Sequence, residues 1–370
     1  MQNGKGRKIV LGMSGGIDSS ISLILLKQNG WNPIGVSLKF GTWDNQCNSV
    51  RENSCCTDDS IKTAQKICKK YGCDHVTLQV EKNFHEQVIR YFTKTLESAR
   101  TPNPCIICNR YLKFLELFDY AKNNNIQYIA TGHYAKIVNS KKYGGYLISK
   151  PKDKKKDQTY YLALLPQEWL PNIVFPLSDL TKTEVYEAAV KEDLNFYLKL
   201  SQSQDFCFVS EKSLQVFIER EVGVKEGLIK DSEGKALGKH RGLANYTIGQ
   251  RRNIGLGGGP FFVIGKNNKT NELFVSTKKA DLLKRGTDLV NTMFSTNLIS
   301  KRVALKDGLQ VSAKIRYQHK PAKAVVVRNG KSRGTGTYRL IFDKPQTAVT
   351  PGQYAVLYVD KLVVGVGEIK

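Results

Sequence analysis

The first half of the chain alternates short apolar runs with longer segments whose apolar residues recur at helical spacing. Residues 8–13 (Lys-Ile-Val-Leu-Gly-Met), 34–40, 75–80 and 126–134 are such short runs. Their sparse polar alternation is that of strands covered on both faces. Between them, residues 17–28, 59–71 and 84–98 place Ile, Leu, Ala and Phe along one side, as amphipathic helices do. In the second of these, the expected buried side is Ile61, Ala64, Ile67 and Cys68. Two further helices are predicted, Asn109–Lys122 and Leu180–Glu192. The second has Thr181 as N-cap and Glu184 three positions on, a capping box. Strands that alternate with helices predict a parallel sheet with helices on both faces, and ligands there sit at the carboxyl ends of strands. The stretch after Met13, Leu38 and Gly132-His133 fall at such ends.

From Leu198 the pattern changes. A polar segment, Ser201 to Phe208, carries one cysteine, Cys207, and leads into a helix that runs to Val222. Gly227 to Gly259 is glycine-rich and strand-like. Beyond it, β-branched runs at 261–265, 272–276, 309–318, 323–328, 338–342, 354–359 and 362–367 are separated by turn pairs such as Asn267-Asn268 and Pro351-Gly352. This predicts an all-β barrel. The expected domains are 1–198, 199–275 and 276–370, and no internal repeat is visible.

Composition sharpens this. A chain of 370 residues has room for two or three domains. Lys and Arg number 57 against 33 Asp and Glu, a formal net charge of +24, which favours a polyanionic partner, above all nucleic acid. No apolar stretch reaches membrane-spanning length, and the polar, basic start offers no signal-peptide core, so no membrane role and a cytoplasmic location are expected. Eight cysteines in such a chain read as thiols, catalytic groups or cluster ligands rather than a disulfide framework.

Two stretches carry candidate chemistry. The first joins the strand at 8–13 to the helix at 17–28 through Ser14-Gly15-Gly16-Ile17-Asp18-Ser19-Ser20. A strand, a glycine turn and a helix bring free backbone N–H groups and a positive helix end to one spot, which suits phosphate. The Lys-Ser/Thr of a P-loop is missing, and the stretch resembles instead the SGGxDS loop of the ATP-pyrophosphatase (PP-loop) superfamily. The second stretch is Arg100-Thr101-Pro102-Asn103-Pro104-Cys105-Ile106-Ile107-Cys108-Asn109. Its prolines make a rigid turn that presents two thiols near a helix start, where Arg110 and Lys113 favour thiolate. Half a zinc site is the other reading of Cys-x-x-Cys, but the chain has no second such pair. Cys68 and Cys73 read as buried structural residues. Cys47, Cys55 and Cys56 lie in a long polar loop, the last two as sulfur relay or as plain loop cysteines. Five lysines between Lys150 and Lys156, beside Asp157-Gln158, are either an RNA-backbone site or a solvated face. His133 is either a core histidine or functional, and its place at a strand end favours function.

Taken in order, these motifs make the chain similar to the tRNA-specific 2-thiouridylase (MnmA) family from Lys8 to about Ile369. Further matching stretches are Lys113-Phe114, Ala130-Thr131-Gly132-His133-Tyr134, Lys156-Asp157-Gln158, Ser203-Gln204-Asp205-Phe206-Cys207-Phe208, Tyr246 to Arg252, Arg316-Tyr317 and Ala348 to Gln353. The resemblance implies an α/β chain: an N-terminal PP-loop (adenine nucleotide alpha hydrolase-like) parallel-sheet domain, a small central domain and a C-terminal β-barrel. It implies ATP at Gly12, Met13, Ser14, Gly15, Gly16, Ile17, Asp18 and Ser19 with Leu38 and Gly132, and Mg²⁺ on the phosphates with help from Asp18. The substrate is then the wobble uridine of tRNAs for Lys, Glu and Gln, flipped out because its C2 is out of reach in a stack. Its O2 attacks the α-phosphate, a persulfide on Cys207 delivers sulfur to C2, and Cys108 attacks Cys207 to release it. Asn103, Pro104 and Cys105 line the base. His133, Lys156, Asp157, Gln158, Arg316, Tyr317 and Gln353 contact tRNA. A persulfide donor or relay protein is implied, and the chain is expected to act as a monomer. One departure stands out: Cys105 occupies a position that is aspartate in much of the family. This raises an alternative in which Cys105, Cys108 and Cys207 hold a [4Fe-4S] cluster that takes the place of the protein persulfide. Two rival functions are an amide-forming PP-loop synthetase, which needs no paired thiols, and a non-catalytic RNA-binding protein.

Overall fold

Ile9, Val10 and Leu11 are fully buried at the centre of a parallel sheet. Their strand, β1 (Lys8–Gly12), is flanked by β2 (Asn32–Lys39) and then β3 (His75–Gln79) on one side. On its other side lie β4 (Tyr128–Thr131) and β7 (Ile173–Val174), while β5 (Lys136–Ser140) and β6 (Gly145–Ser149) form a hairpin between them in sequence. All the pairings in this sheet are parallel, with Val10 between Ile34 and Ile129. The chain winds outward from β1 to β3, then returns to β4 beside β1. Such a switch opens a crevice at the carboxyl ends of β1 and β4. The computed structural model describes residues 3–41, 57–199, 208–303, 307–329 and 337–370, so Cys47, Cys55, Cys56 and Cys207 lie outside the described residues.

The helices follow from their ends and faces. Helix α1 (Ile17–Gln28) buries Ile17, Ile21, Leu23, Ile24 and Leu26, with Asp18 in its first turn and Lys27 in its last, as the helix dipole favours. In α2 (Asp58–Lys70), Thr57 caps the N-terminus, and Ile61, Ala64, Ile67 and Cys68 are buried, the face read from spacing. The thiol-bearing segment departs from expectation. Its helix starts at Pro104 rather than Asn109: Pro104–Cys108 is helical, Asn109–Lys113 widens into a π-turn, and α3 (Phe114–Asn123) follows. Proline suits the first helical position, since its missing N–H would have no partner there, so the Pro-x-x pattern starts the helix where a turn was expected. In α4 (Lys182–Lys191) both halves of the Thr181–Glu184 capping box are made.

The described residues divide into two compact units. One comprises Met1–Val88, Cys105–Ser213 and Lys361–Val363; the other comprises Ile89–Pro104, Leu214–Asp360 and Val364–Lys370. The second unit holds a small sheet of β8 (Gly227–Lys230), β9 (Ala236–His240), β10 (Phe262–Asn267) and β11 (Glu272–Ser276), in the order β10-β11-β8-β9. It also holds the strands β12 (Leu283–Phe294), β13 (Leu309–Lys314), β14 (Ala322–Asn329), β15 (Thr337–Thr347), β16 (Tyr354–Val359) and, from Val364 on, β17 (Leu362–Ile369). These run β12-β15-β14-β13-β16-β17 and close through β12–β17, a six-stranded barrel. The β-branched runs predicted at 272–276 and 354–359 are strands with those bounds, but β12 is not legible in the sequence. Its pairing shifts register between Lys284 and Gly286 and again between Val290 and Met293. Each irregularity breaks the two-residue alternation by which strands are read. No helix among the described residues is long and apolar enough to cross a membrane.

Candidate active site

The stretch after β1 folds as a tight nest. Ser14 N–H donates to Ser19 Oγ at 3.3 Å, Ser19 Oγ–H donates to the Gly16 carbonyl at 2.9 Å, and Gly16 N–H reaches Ser14 Oγ at 3.4 Å. Gly15 has φ +75°, and a Cβ there would lie 2.0 Å from the Ser60 carbonyl oxygen, so only glycine fits. From beneath, Tyr197 donates to the Gly15 carbonyl at 3.1 Å and meets Ser20 Oγ at 2.6 Å. Gly16 caps α1 without a side-chain hydrogen bond. The first-turn N–H groups of α1 are thereby left for a ligand.

A pocket of about 220 Å³ opens over this nest. Among the residues expected to bind nucleotide, Gly12, Met13, Ser14, Asp18, Ser19, Leu38 and Gly132 line it, while Gly15, Gly16 and Ile17 form the turn behind. Of the residues expected to contact tRNA, His133 and Gln158 line the same pocket. Gly132 packs against the start of α1: a Cβ there would sit 2.9 Å from Asp18 C and Ser19 N.

Asp18 has two partners that sequence reading missed. Its Oδ1 accepts from Lys182 Nζ at 2.7 Å and from Tyr134 Oη at 2.8 Å. Burial and then the Asp18 carboxylate push the Tyr134 phenol well above its ordinary range, so it stays a neutral donor. Lys182 opens α4 and is far from Asp18 in sequence; nothing in the local pattern pointed to it. Tyr134 also donates its N–H to Gln158 Oε1 at 2.8 Å and accepts Gln158 N–H at 3.1 Å, which fixes Gln158 at the pocket wall.

His133 meets Thr131 Oγ1 through Nδ1 at 2.8 Å. Burial, then the Lys113 charge, pull its pKa from the ordinary 6.5 down to about 3. It is therefore a neutral hydrogen-bonding group, not a cation, at physiological pH. The sign of the linkage follows. Below about pH 6.5 the unfolded chain binds a proton that native His133 refuses. The stability carried by neutral His133 is full above that pH and is lost as pH falls toward 3. Between pH 7 and pH 5, His133→Asn should therefore lose less stability than the parent, by on the order of 1–2 kcal/mol in denaturant unfolding. Equal losses in both proteins would contradict this.

The lysine-rich loop is held by its own carboxylates. Asp153 Oδ1 accepts the N–H groups of Lys155 and Lys156 at 2.8 and 3.1 Å, and its Oδ2 accepts Lys182 N–H at 2.8 Å. Just ahead of the short helix Thr159–Leu162, Asp157 Oδ1 accepts the Thr159 N–H at 3.0 Å and its hydroxyl at 2.6 Å. Lys152, Lys154 and Lys155 are exposed.

Cys108 is 4% exposed at the end of the Pro104–Cys108 helix, and Cys105 is half-buried. Of the two cations expected near these thiols, Arg110 packs over the Trp169 ring at 4.4 Å, whereas Lys113 lines the pocket. Beside Cys108, Asn109 is 4% exposed and donates to the Tyr161 carbonyl at 3.1 Å, while its Oδ1 has no hydrogen-bond partner among the described residues. Phe208, next in sequence to Cys207, is buried against Phe84 at 5.8 Å between centroids. Phe84 stacks on Phe40 at 4.7 Å, and Phe40 lines the pocket.

In the second unit, Asn103 and Gln353 come together. Gln353 donates to the carbonyls of Thr101 at 3.1 Å and Pro102 at 2.8 Å and accepts from Asn103 Nδ2 at 3.4 Å. This clamps the Thr-Pro-Asn-Pro turn. Arg316 donates to the Ile248 carbonyl at 2.7 Å and to Thr350 Oγ1. Tyr317 lies under the Lys314 ammonium at 4.8 Å.

Protein-family models match in three blocks: the tRNA methyl transferase HUP domain over residues 7–211, the tRNA methyl transferase PRC-barrel domain over 215–277, and the aminomethyltransferase beta-barrel domain over 293–369. Full-length relatives include the tRNA-specific 2-thiouridylase MnmA of Clostridioides difficile (strain 630), 37% identical over 98% of each chain. The protein of the same name from Aquifex aeolicus (strain VF5) is 38% identical over 98% of this chain and 99% of its own. The tRNA-specific 2-thiouridylase MnmA 1 of Caldanaerobacter subterraneus subsp. tengcongensis is 37% identical over 98% of each.

Proposed function

Because the chain belongs to the tRNA-specific 2-thiouridylase (MnmA) family, we propose that it converts a tRNA wobble uridine to 2-thiouridine at the expense of ATP. The observation that supports this reading best is that one pocket is lined both by the phosphate nest (Ser14, Asp18, Ser19) and by His133 and Gln158. An activated nucleotide and the base it activates need to share such a space.

In this reading the first-turn N–H groups of α1 hold the triphosphate. The uridine O2 attacks the α-phosphorus, the bond to the β-phosphate bridging oxygen breaks, and pyrophosphate leaves. C2 is then electrophilic, with AMP as leaving group. The terminal sulfur of a Cys207 persulfide attacks C2 and AMP departs, leaving the base joined to Cys207 through a disulfide. The Cys108 thiolate attacks Cys207 Sγ, that disulfide breaks, and its electron pair leaves with the 2-thiouridine. The Cys108–Cys207 disulfide then takes two electrons from an external thiol reductant. Thiolates suit both attacks because they are strong nucleophiles near neutral pH. Mg²⁺, when bound, supplies charge neutralisation at the phosphates. Asp18 would help to hold it, since Oδ1 is engaged by Lys182 and Tyr134 while Oδ2 accepts no hydrogen bond among the described residues. The net charge of +24 and the exposed lysine loop suit a polyanion such as tRNA.

The iron–sulfur alternative finds no support. It needs Cys207 as its third ligand, and Cys207 lies outside the described residues, while the full-length relatives are named simply as tRNA-specific 2-thiouridylases. The deciding experiment is mass spectrometry of tRNA nucleosides after incubation with ATP, Mg²⁺ and a persulfide source. 2-Thiouridine is expected, with AMP and pyrophosphate released alongside it. Salt-dependent tRNA binding without pyrophosphate release would instead favour a non-catalytic RNA-binding protein.

A further inference from the structure

Asp18 creates an electrostatic conflict at the pocket. Its carboxylate stands in the first turn of α1, where the phosphate chain is to lie, and two anions at contact distance repel. The group that offsets this charge is Lys182. Its Nζ lies 2.7 Å from Asp18 Oδ1, and its side chain is only 12% exposed against 36% for Asp18.

The ammonium is held from several directions. It lies 5.1 Å from the Tyr186 ring centroid and 6.0 Å from that of Tyr134. The Lys182 backbone N–H donates to Asp153 at 2.8 Å, and the Thr181–Glu184 capping box holds the start of the helix. Tyr134 binds the same oxygen of Asp18 but remains neutral, so it brings no compensating charge. Lys113 lines the pocket as well, and its charge bears on His133.

We propose that Lys182 is a positioning residue for the nucleotide: its ammonium neutralises and orients Asp18, and so allows a polyphosphate to occupy the nest beside that carboxylate. The proposal rests on the reading of this pocket as the ATP site.

The test is equilibrium binding of ATP and of inorganic pyrophosphate to the full chain in the presence of a chelator, without Mg²⁺ or tRNA, so that no ion occupies the Asp18 carboxylate. Lys182→Met should weaken both by at least about tenfold, the scale of one uncompensated charge at close range in a half-solvated site. AMP, with less negative charge, should lose less. Lys182→Arg, which keeps the charge, should retain most of the binding. The decisive variant is the double replacement Asp18→Asn with Lys182→Met. Removing the carboxylate removes the repulsion, so the double variant should bind pyrophosphate more tightly than Lys182→Met alone. A merely structural lysine would show no such rescue. Wild-type binding with an undiminished Lys182→Met, or a loss that Asp18→Asn does not relieve, overturns the proposal and leaves the ATP site standing. If Lys182→Met does not fold, the comparison of Lys182→Arg with the double variant decides: failure of both to bind overturns it. Wild-type protein that binds neither ATP nor pyrophosphate defeats the ATP site itself.

Discussion

Cys108→Ser is expected to lower 2-thiouridine formation by about a thousandfold or more in the absence of added thiol, a loss typical of removing an essential nucleophile. Pyrophosphate release should persist, because activation of the base precedes any chemistry at Cys108. The order of sulfur steps makes a sharper forecast. Without Cys108, the base stays joined to Cys207 through a disulfide, so a covalent enzyme–tRNA species should accumulate. It should be visible on a non-reducing gel and be released by dithiothreitol as thiolated tRNA. Cys108 is buried within a helix rather than exposed on a loop. Serine is close to isosteric there, so the melting temperature serves as the control for folding. Unimpaired thiolation by the variant without added thiol would remove Cys108 from the reaction. Cys207→Ser should abolish both the adduct and the product.

Gly132→Ala is the second change with a large expected effect. The new methyl would lie 2.9 Å from both Asp18 C and Ser19 N, atoms of the backbone that cannot rotate aside. The first turn of α1 must then move away from the end of β4, and with it the N–H groups proposed to hold phosphate. Overpacking of this kind costs about 1–3 kcal/mol of stability. ATP affinity should fall by more, about a hundredfold, because a shift on the order of 1 Å disrupts the aligned donors. Gly257→Ala is the control, since a Cβ there meets nothing within 4 Å. ATP binding that survives Gly132→Ala unchanged would show that the β4–α1 junction does not shape the site.

Much of the site was legible because its chemistry is local. The glycine nest reads as Ser-Gly-Gly-x-Asp-Ser because Gly15 needs a positive φ and close backbone approach, which only glycine supplies. The capping box at Thr181–Glu184 was legible for the same reason: donor and acceptor lie within one helical turn. Legibility failed where pairing is long-range or irregular. The bulges of β12 hid its alternation. Arg110, expected to favour thiolate at the neighbouring cysteines, also lies over Trp169, a partner far along the chain that local pattern does not reveal. Arg316 and Gln353 were expected to contact tRNA, and both also make internal hydrogen bonds, Arg316 to Ile248 and Thr350 and Gln353 to the Thr-Pro-Asn-Pro turn.

The order of residues alone therefore determined the parallel α/β sheet, the glycine nest at the end of β1 and the barrel that follows, since hydrophobic period and turn chemistry act over a few neighbouring positions. Only the tertiary structure decided that Asp18 shares one oxygen between Lys182 and Tyr134, that His133 is kept neutral, and that Gln158 reaches the pocket wall. Charge state and desolvation depend on what surrounds a group in space, and those surroundings are assembled from segments that local pattern does not relate to one another.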